Sequence, residues 1–486
     1  MKIREIRVKK LLCISWLIPF LFSFCVSAQT IDISGKWQFQ LDPQDAGIKS
    51  NFFEKEFSAT IHLPGTISEA RKGNQISLEP TLPVLPPENL NPKKGLTFGR
   101  DPSALTNSPL AHLQQRFFYI GPAWYRREVE IPKNWTNKDV ELVLERVIWE
   151  SRVWVNGQFI GARNSLTTPH RYEIGGALKP GRNQIVIRVD NRRQLEIGNP
   201  HAYTEESQTI WNGIIGQIAL VARDKIRLDG LQLRPDLARK GVEVTAFTHN
   251  GGEKEIAREL FLQAAPENFH GKKLPEMKVP ISLSPGDGEQ NFFYPMGTNF
   301  ELWSEFNPKL YRMRATLAGE NIHSEIADTL GMREFKATGR HFFINGQPTF
   351  LRGTVNCCEF PKTGYPDMTG EQWKKIFSTA KAFGLNHMRF HTWCPPEIAF
   401  EMADRYGIYL EVELPDWSFQ IGADTNVTEF FRAEGERMIR EYGNHPSWVM
   451  LTMGNELKGD YSVLDDLENH FRKLDPQLLY DSTTYP

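Results

Sequence analysis

Residues 384–413, GLNHMRFHTWCPPEIAFEMADRYGIYLEVE, decide the architecture. Asn386–Phe390 reads as a short apolar strand, and Pro396–Tyr406 has the apolar spacing of a helix. Gly407 supplies the C-terminal stop, and Ile408–Glu413 reads as the next strand. The same rhythm extends in both directions. Upstream, a strand at Thr349–Arg352 precedes a helix over Gly370–Phe383, stopped by Gly384. Downstream, the helix Asn426–Tyr442 is stopped by Gly443, and the strand Trp448–Met453 precedes the helix Val463–Lys473. Leu478-Leu479-Tyr480 opens a fifth strand. Strands alternating with helices at this spacing predict a parallel sheet. Four βα units and the start of a fifth make the N-terminal half of a (β/α)8 TIM barrel, over residues 336–486. A half barrel leaves two open sheet edges and an uncovered interior, so the chain is expected to be an incomplete fragment, truncated within the barrel.

Everything upstream reads as β. Alternating runs recur at Trp37–Leu41, Trp124–Ile131, Val140–Leu144, Arg152–Val155 and Gln184–Val189, as half-buried sandwich strands require. Asn156-Gly157 between two such runs is a two-residue hairpin signal. A second β region, 223–335, has strand patterns at Leu228–Leu233, Val242–Phe247 and Tyr311–Leu317; its length suits an immunoglobulin-like sandwich. The pattern breaks over about 70–118, where Glu79–Pro87 is Pro-rich. A loop of that length is either functional or a surface insertion. The aromatic content of 12%, with 12 Trp and 31 Phe, suits either large sandwich cores or flat ligands such as sugars.

Residues 1–28 read as a signal peptide. Lys2, Arg4, Arg7, Lys9 and Lys10 form a basic region, Leu11–Val26 is apolar but short for a membrane span, and Val26-Ser27-Ala28 is a small-residue cleavage site. The protein is therefore expected to be exported, periplasmic or extracellular, with no membrane span after cleavage. Removing that segment takes the net charge from −2 to −6, since it holds five basic side chains and one acidic. No basic stripe offers nucleic acid a surface. Cys357, Cys358 and Cys394 remain. Their odd number argues against a disulfide framework, leaving buried thiols or one bridge from Cys394 to Cys357 or Cys358. There is no H-E-x-x-H and no clustered His/Cys set, so neither metal nor cofactor is expected.

In a barrel, functional side chains sit at the C-terminal ends of the strands. That rule selects Gly353, Asn356, Cys357 and Glu359 after the first strand, then Arg389, His391 and Trp393 after the second. Glu413, Asp416 and Trp417 follow the third, and Gly454-Asn455-Glu456 the fourth. These are acidic, aromatic and hydrogen-bonding groups, with Arg389 as the one fixed positive charge among them.

Taken in order, the motifs resemble glycoside hydrolase family 2, the family of β-galactosidases, β-glucuronidases and β-mannosidases. The first region shows Gly35-Lys36-Trp37-Gln38-Phe39, Leu63-Pro64-Gly65-Thr66, Ala123-Trp124-Tyr125-Arg126-Arg127, Val155-Asn156-Gly157, Pro180-Gly181-Arg182-Asn183 and Trp211-Asn212-Gly213-Ile214. The barrel region shows Phe350-Leu351-Arg352-Gly353, Gly384-Leu385-Asn386, Arg389-Phe390-His391, Ala403-Asp404-Arg405-Tyr406-Gly407, His445-Pro446-Ser447 and Gly454-Asn455-Glu456. Each is weak alone; their order and spacing are specific.

The resemblance implies that residues 29–222 form the family's sugar-binding jelly-roll β-sandwich. It also implies a retaining, exo-acting glycoside hydrolase working on a carbohydrate substrate in polysaccharide or oligosaccharide breakdown. Glu456 matches the acid/base, consistent with a carboxyl shielded at a strand end. Asn455 matches the residue bonded to the sugar 2-hydroxyl. Arg389 matches an arginine that supports the nucleophile, or else closes the barrel interior with a salt bridge. His391 lines the sugar subsite or is structural. Trp393 and Trp417 stack on sugar faces or pack the rim. Glu413 binds a hydroxyl or partners Arg389. Retention also needs a nucleophilic carboxylate about 5–5.5 Å from the acid. The family places it on strand seven, and no Glu of this chain matches, so the chain alone is expected to be nearly inert. Cys357-Cys358 and Cys394-Pro395-Pro396-Glu397 depart from the best-known galactosidases, which leaves the sugar open. Association into homo-oligomers through the sandwiches is open too. The competing reading is a carbohydrate-binding protein without turnover, using the first region alone.

Overall fold

In the computed structural model, residues 29–75, 116–204, 210–319 and 322–484 are described. The expected signal peptide and the whole Pro-rich stretch Glu79–Pro87 lie outside them. Two antiparallel sheets enclose the first core. One is six-stranded, in the order Gln158–Asn164, Glu150–Val155, Gly181–Asp190, Pro122–Ile131, Gly35–Leu41 and Ala59–Leu63. The other runs Gln29–Asp32, Gly213–Arg223, Asp139–Arg146 and His170–Glu173, with Gly65–Thr66 paired to the second of these. Alternation sends Trp37, Phe39, Tyr125, Leu142, Leu144, Ile185, Ile187 and Leu220 into one buried cluster between them. The other face of the six-stranded sheet is also covered: Phe57, Trp124, Trp154 and Val186 pack together, and Phe53 stacks on Trp154 at 5.4 Å. This explains why Gly181–Asp190 is buried almost continuously rather than alternately. The hairpin at Asn156-Gly157 is made with both residues left-handed, at φ 51° and 83°, as the tight turn between twisted strands requires.

The second β region also has two antiparallel sheets. Ile226–Asp236, Gly241–Asn250 and Gly286–Pro295 form one; Met277–Leu283, Ile256–Pro266, Tyr311–Gly319 and Ile322–Leu330 form the other. Leu231, Leu233, Val242, Val244, Leu260, Leu262, Met313 and Leu317 fill the space between. A small antiparallel sheet, Phe335–Thr338, His341–Ile344 and Gln347–Thr349, follows.

Five parallel strands come next in sequential order: Gly353–Asn356, His387–Phe390, Tyr409–Glu413, Trp448–Thr452 and Leu479–Asp481. Between them lie helices α1 (Glu371–Ala382), α2 (Glu397–Tyr406), α3 (Thr425–Tyr442) and α4 (Tyr461–Leu474). Asp424 and Asp460 cap α3 and α4, accepting from the Asn426 and Ser462 amides. Gly407 ends α2 at φ 65°. The helices bury Trp373, Phe377, Phe400, Phe431, Met438 and Phe471 against Met388, Phe390, Leu410, Val412 and Leu451 of the sheet.

The first parallel strand begins four residues later than the sequence predicts. Thr349 ends the small antiparallel sheet, and Phe350 is 75% exposed. Arg352 is drawn off by Glu305 at 2.7 Å, while its amide donates to the Asn386 side chain. An apolar run such as Phe350-Leu351 carries no period to distinguish a buried strand from a connector. The three thiols are free, the state the odd count favoured. Among the described residues, no helix is long and apolar enough to cross a membrane.

Candidate active site

Because all five strands run the same way, their C-terminal ends share one rim. The side chains of His387, Arg389, Glu411 and Glu413 alternate with the apolar residues that face the helices. Arg389 lies between two carboxylates: its Nε is 3.2 Å from Glu411, and it pairs directly with Glu413. Its Nη2 donates to Asn455 Oδ1 at 2.9 Å. Glu413 is fully buried, and its second oxygen accepts the Thr392 amide at 2.5 Å. Burial pushes the Glu413 carboxyl up to about 7 against the opposing pull of Arg389, and Glu411 is raised for the same reason. The structure therefore makes Glu413 the partner of Arg389. One of its oxygens meets Arg389 and the other the Thr392 amide.

The Gly454-Asn455-Glu456 segment is held between the third and fifth strand ends. The Asn455 amide donates to the Asp416 carbonyl at 3.0 Å, and the Leu457 amide to that of Thr483 at 2.8 Å. The Thr483 hydroxyl donates to the Gly454 carbonyl at 2.6 Å. A Cβ on Gly454 would lie 2.4 Å from the Asp416 carbonyl, so the close approach needs glycine. Glu456 sits at φ 47°, a left-handed backbone costing of order 1 kcal/mol or more for a non-glycine residue, and is half-buried. Asn455 is buried beside it. Strain of this kind concentrates where a side chain must be aimed.

Beside this segment, His391 and Trp417 form an aromatic corner with ring centres 4.9 Å apart. Both are half-buried. Trp393 is elsewhere: it is 3% exposed, packed among Phe360, Trp373 and Phe390, and its indole N–H donates to the Asn356 carbonyl. Of the two readings of Trp393, stacking on a sugar and packing the rim, its burial fits packing. Asp416 is also buried, and desolvation holds its carboxyl well above the usual range. Cys357 lies close enough to feel Glu359, Glu413 and Arg389, and burial raises its thiol pKa.

Sequence reasoning missed His201. The segment 195–204 of the first β region reaches across to this rim and seats His201 between His391 and Trp417, at ring-centre distances of 4.6 and 5.6 Å. No motif marks it; the one available signal was a stretch without strand period just ahead of Trp211-Asn212-Gly213. Two further motifs prove structural. His445 Nδ1 donates to Asp404 at 2.6 Å, and Asp404 accepts the Ser447 amide at 2.9 Å, clamping α2 to the start of the fourth strand. In the second β region, Asp229, His249 and Asp287 lie close enough to share a cation. Arg227 already neutralises Asp229 at 2.6 Å, however, and makes the group an ion-pair network.

Comparison with known proteins agrees with this architecture. Residues 109–223 match the family model described as glycosyl hydrolase 2 galactose-binding domain-like, and residues 335–481 the model of the glycosyl hydrolases family 2 TIM barrel domain. The β-galactosidase of Thermoanaerobacter pseudethanolicus is 26% identical over 405 residues, covering 80% of this chain and 53% of its own length. A Bacteroides uniformis β-glucuronidase structure aligns with a TM-score of 0.70 at 20% identity, over 94% of this chain and 52% of that one. A GH2 β-galacturonidase from Eisenbergiella tayi, bound to galacturonate, aligns with a TM-score of 0.69 at 19% identity, over 94% and 71% of the two chains. This chain covers 53% and 49% of the length of two β-galactosidase relatives and 31% of another. The architecture is thus a multidomain one that includes galactose-binding-like and TIM-barrel modules. The chain belongs to glycoside hydrolase family 2.

Proposed function

We propose that this chain carries the acid/base half of a retaining, exo-acting glycoside hydrolase that is exported and breaks down polysaccharides or oligosaccharides. In this reading residues 29–222 are the jelly-roll module and 223–335 an immunoglobulin-like sandwich. Residues 336–486 supply the first strands of the (β/α)8 barrel. Glu456 protonates the departing glycosidic oxygen and then activates water. Asn455 bonds the sugar 2-hydroxyl, and Arg389 holds Asn455 and the buried carboxylates in place. His391 and Trp417 border the sugar. The nucleophilic carboxylate comes from outside residues 1–486.

The observation that carries the reading is the placement of Glu456. It is half-buried on the rim, with a left-handed backbone, next to an Asn455 fixed by Arg389. A carboxyl so held, partly shielded from water, can give up a proton to a leaving group. The test is hydrolysis of a panel of aryl β-glycosides by a protein that contains this chain together with a complete barrel, with the first-formed sugar anomer followed by NMR. The expected product keeps the β configuration. Inversion would refute the retaining mechanism, and no hydrolysis of any β-glycoside would refute the enzyme.

A further inference from the structure

The six-stranded sheet of the first β region carries a row of hydrogen-bond donors on its outer face. Trp37, Phe39, Ile61 and Tyr125 turn inward to the buried cluster. Gln38, Thr60 and Arg126, their neighbours on three adjacent strands, therefore turn outward. The register sets Gln38 directly opposite Thr60 on one side and Arg126 on the other, which brings the three side chains abreast. Lys36, two residues from Gln38, shares this face. These four line an open groove of about 530 Å3, which also holds Arg127, Arg182, Glu56 and Glu128.

The fold leaves several of these donors unused. Arg126 is only 7% exposed. Its Nη1 donates to the Lys55 carbonyl at 2.7 Å, while Nη2 meets only Glu56, at 3.8 Å, whose side chain is 78% exposed. Its Nε is buried with no partner. A guanidinium taken that far out of water needs a closer counter-charge than a solvated carboxylate beyond hydrogen-bond reach. Gln38 Oε1 accepts the Phe57 amide at 3.0 Å, which fixes the side-chain amide and leaves its NH2 as the unused end. Lys36 is exposed, and among the described residues no carboxylate pairs with it. Arg127 and Arg182 are engaged, by the Ser34 carbonyl at 2.7 Å and by Glu128 at 2.8 Å.

A guanidinium edge, an amide NH2 and an ammonium side by side call for an anionic acceptor. The two acids of the groove narrow its class. Glu56 and one oxygen of Glu128 need hydrogen donors on the same ligand, and a saccharide carries hydroxyls beside each carboxylate or sulfate. The volume is that of a small-molecule site and exceeds what one inorganic ion fills. We propose that this groove binds an acidic oligosaccharide, with a carboxylate or sulfate against Arg126, Gln38 and Lys36 and ring hydroxyls donating to Glu56 and Glu128. The site goes beyond the hydrolase reading: it holds an anionic glycan on the first module without turnover and uses no residue of the barrel rim.

The experiment is isothermal titration calorimetry on the full chain with a short oligomannuronate, a short κ-carrageenan, a neutral β-1,4-galactan oligosaccharide, oligoglutamate and inorganic sulfate. Saturable binding of oligomannuronate or κ-carrageenan is expected, and which of the two binds tighter tells carboxylate from sulfate. Added salt should weaken it, because the attraction is between charges. Lys36→Glu and Arg126→Gln should each lower the affinity by about ten-fold or more, as for lost hydrogen bonds to a charged group. Lys254→Glu, an exposed site in the second β region, should leave it unchanged. No saturable binding of either acidic saccharide overturns the proposal. So does equal affinity for the galactan, oligoglutamate or sulfate, or a loss in Lys254→Glu as large as in Lys36→Glu. So does affinity unchanged in both groove variants. If Arg126→Gln does not fold, Lys36→Glu, at an exposed side chain, decides alone. Failure here leaves the hydrolase reading standing, since that reading is tested by turnover.

Discussion

Replacing Asp404 with Asn should weaken the α/β region in a pH-dependent way. Asp404 and His445 are 1% and 9% exposed and share a 2.6 Å hydrogen bond, with Phe400 stacked on the imidazole. Burial alone pulls the His445 pKa down. Asp404, helped by the charges of Glu397 and Asp328, overrides it and pushes the value from 6.5 up to about 9. The folded state therefore binds this proton about 300-fold more tightly than the unfolded chain, worth about 3 kcal/mol. The sign follows from the raised value: the contribution is complete below pH 6.5 and disappears as pH climbs through 9. With Asn at position 404 the imidazole loses its counter-charge, and burial keeps it neutral. The Ser447 amide still finds an acceptor, so backbone geometry is little changed. The deficit should be about 3 kcal/mol at pH 6 and should shrink steadily toward pH 10. Glu397 and Glu401, raised by burial to about 8 and 7, are themselves pulled down by the His445 charge, so part of the deficit passes through them. A multidomain chain does not unfold in one step, so the assay is hydrogen exchange of the amides in α2 and the Trp448–Thr452 strand, from pH 6 to 10. A deficit constant with pH would refute the reasoning.

The two rim tryptophans should separate cleanly. Trp393→Ala should cost about 3–5 kcal/mol of stability, as for a large buried side chain, seen as a lowered urea midpoint. Trp417→Ala should leave that midpoint nearly in place and weaken binding of a monosaccharide measured by calorimetry. Gly198→Ala cannot fit against the Trp417 carbonyl. It should release the 195–204 segment, detected as lost exchange protection at Asn199 and Ala202 with the sheets unaffected.

The parallel sheet was legible because three of the four helices carry their own punctuation, Gly384, Gly407 and Gly443 at their ends, and short apolar runs mark the strands. The first strand was misplaced because Phe350-Leu351 is apolar yet exposed or half-exposed, held by polar ties of Arg352 that only tertiary structure creates. The rim positions of Arg389, Glu413 and Glu456 followed from strand ends. Their division of labour did not. Whether Glu413 faces a ligand or Arg389 depends on a contact across strands, and Trp393 and Trp417 look alike until burial separates them. His201 was invisible, because it reaches the site from a different module, 190 residues away in the chain.

The most direct measurement is the leaving-group dependence of Glu456→Gln in a protein that contains this chain and a complete barrel. If Glu456 protonates the departing oxygen, glycosides with poor leaving groups should lose about 100- to 10,000-fold in kcat/KM, while those whose leaving group departs without a proton should lose far less. Equal losses for both kinds, or unchanged turnover, would contradict the account.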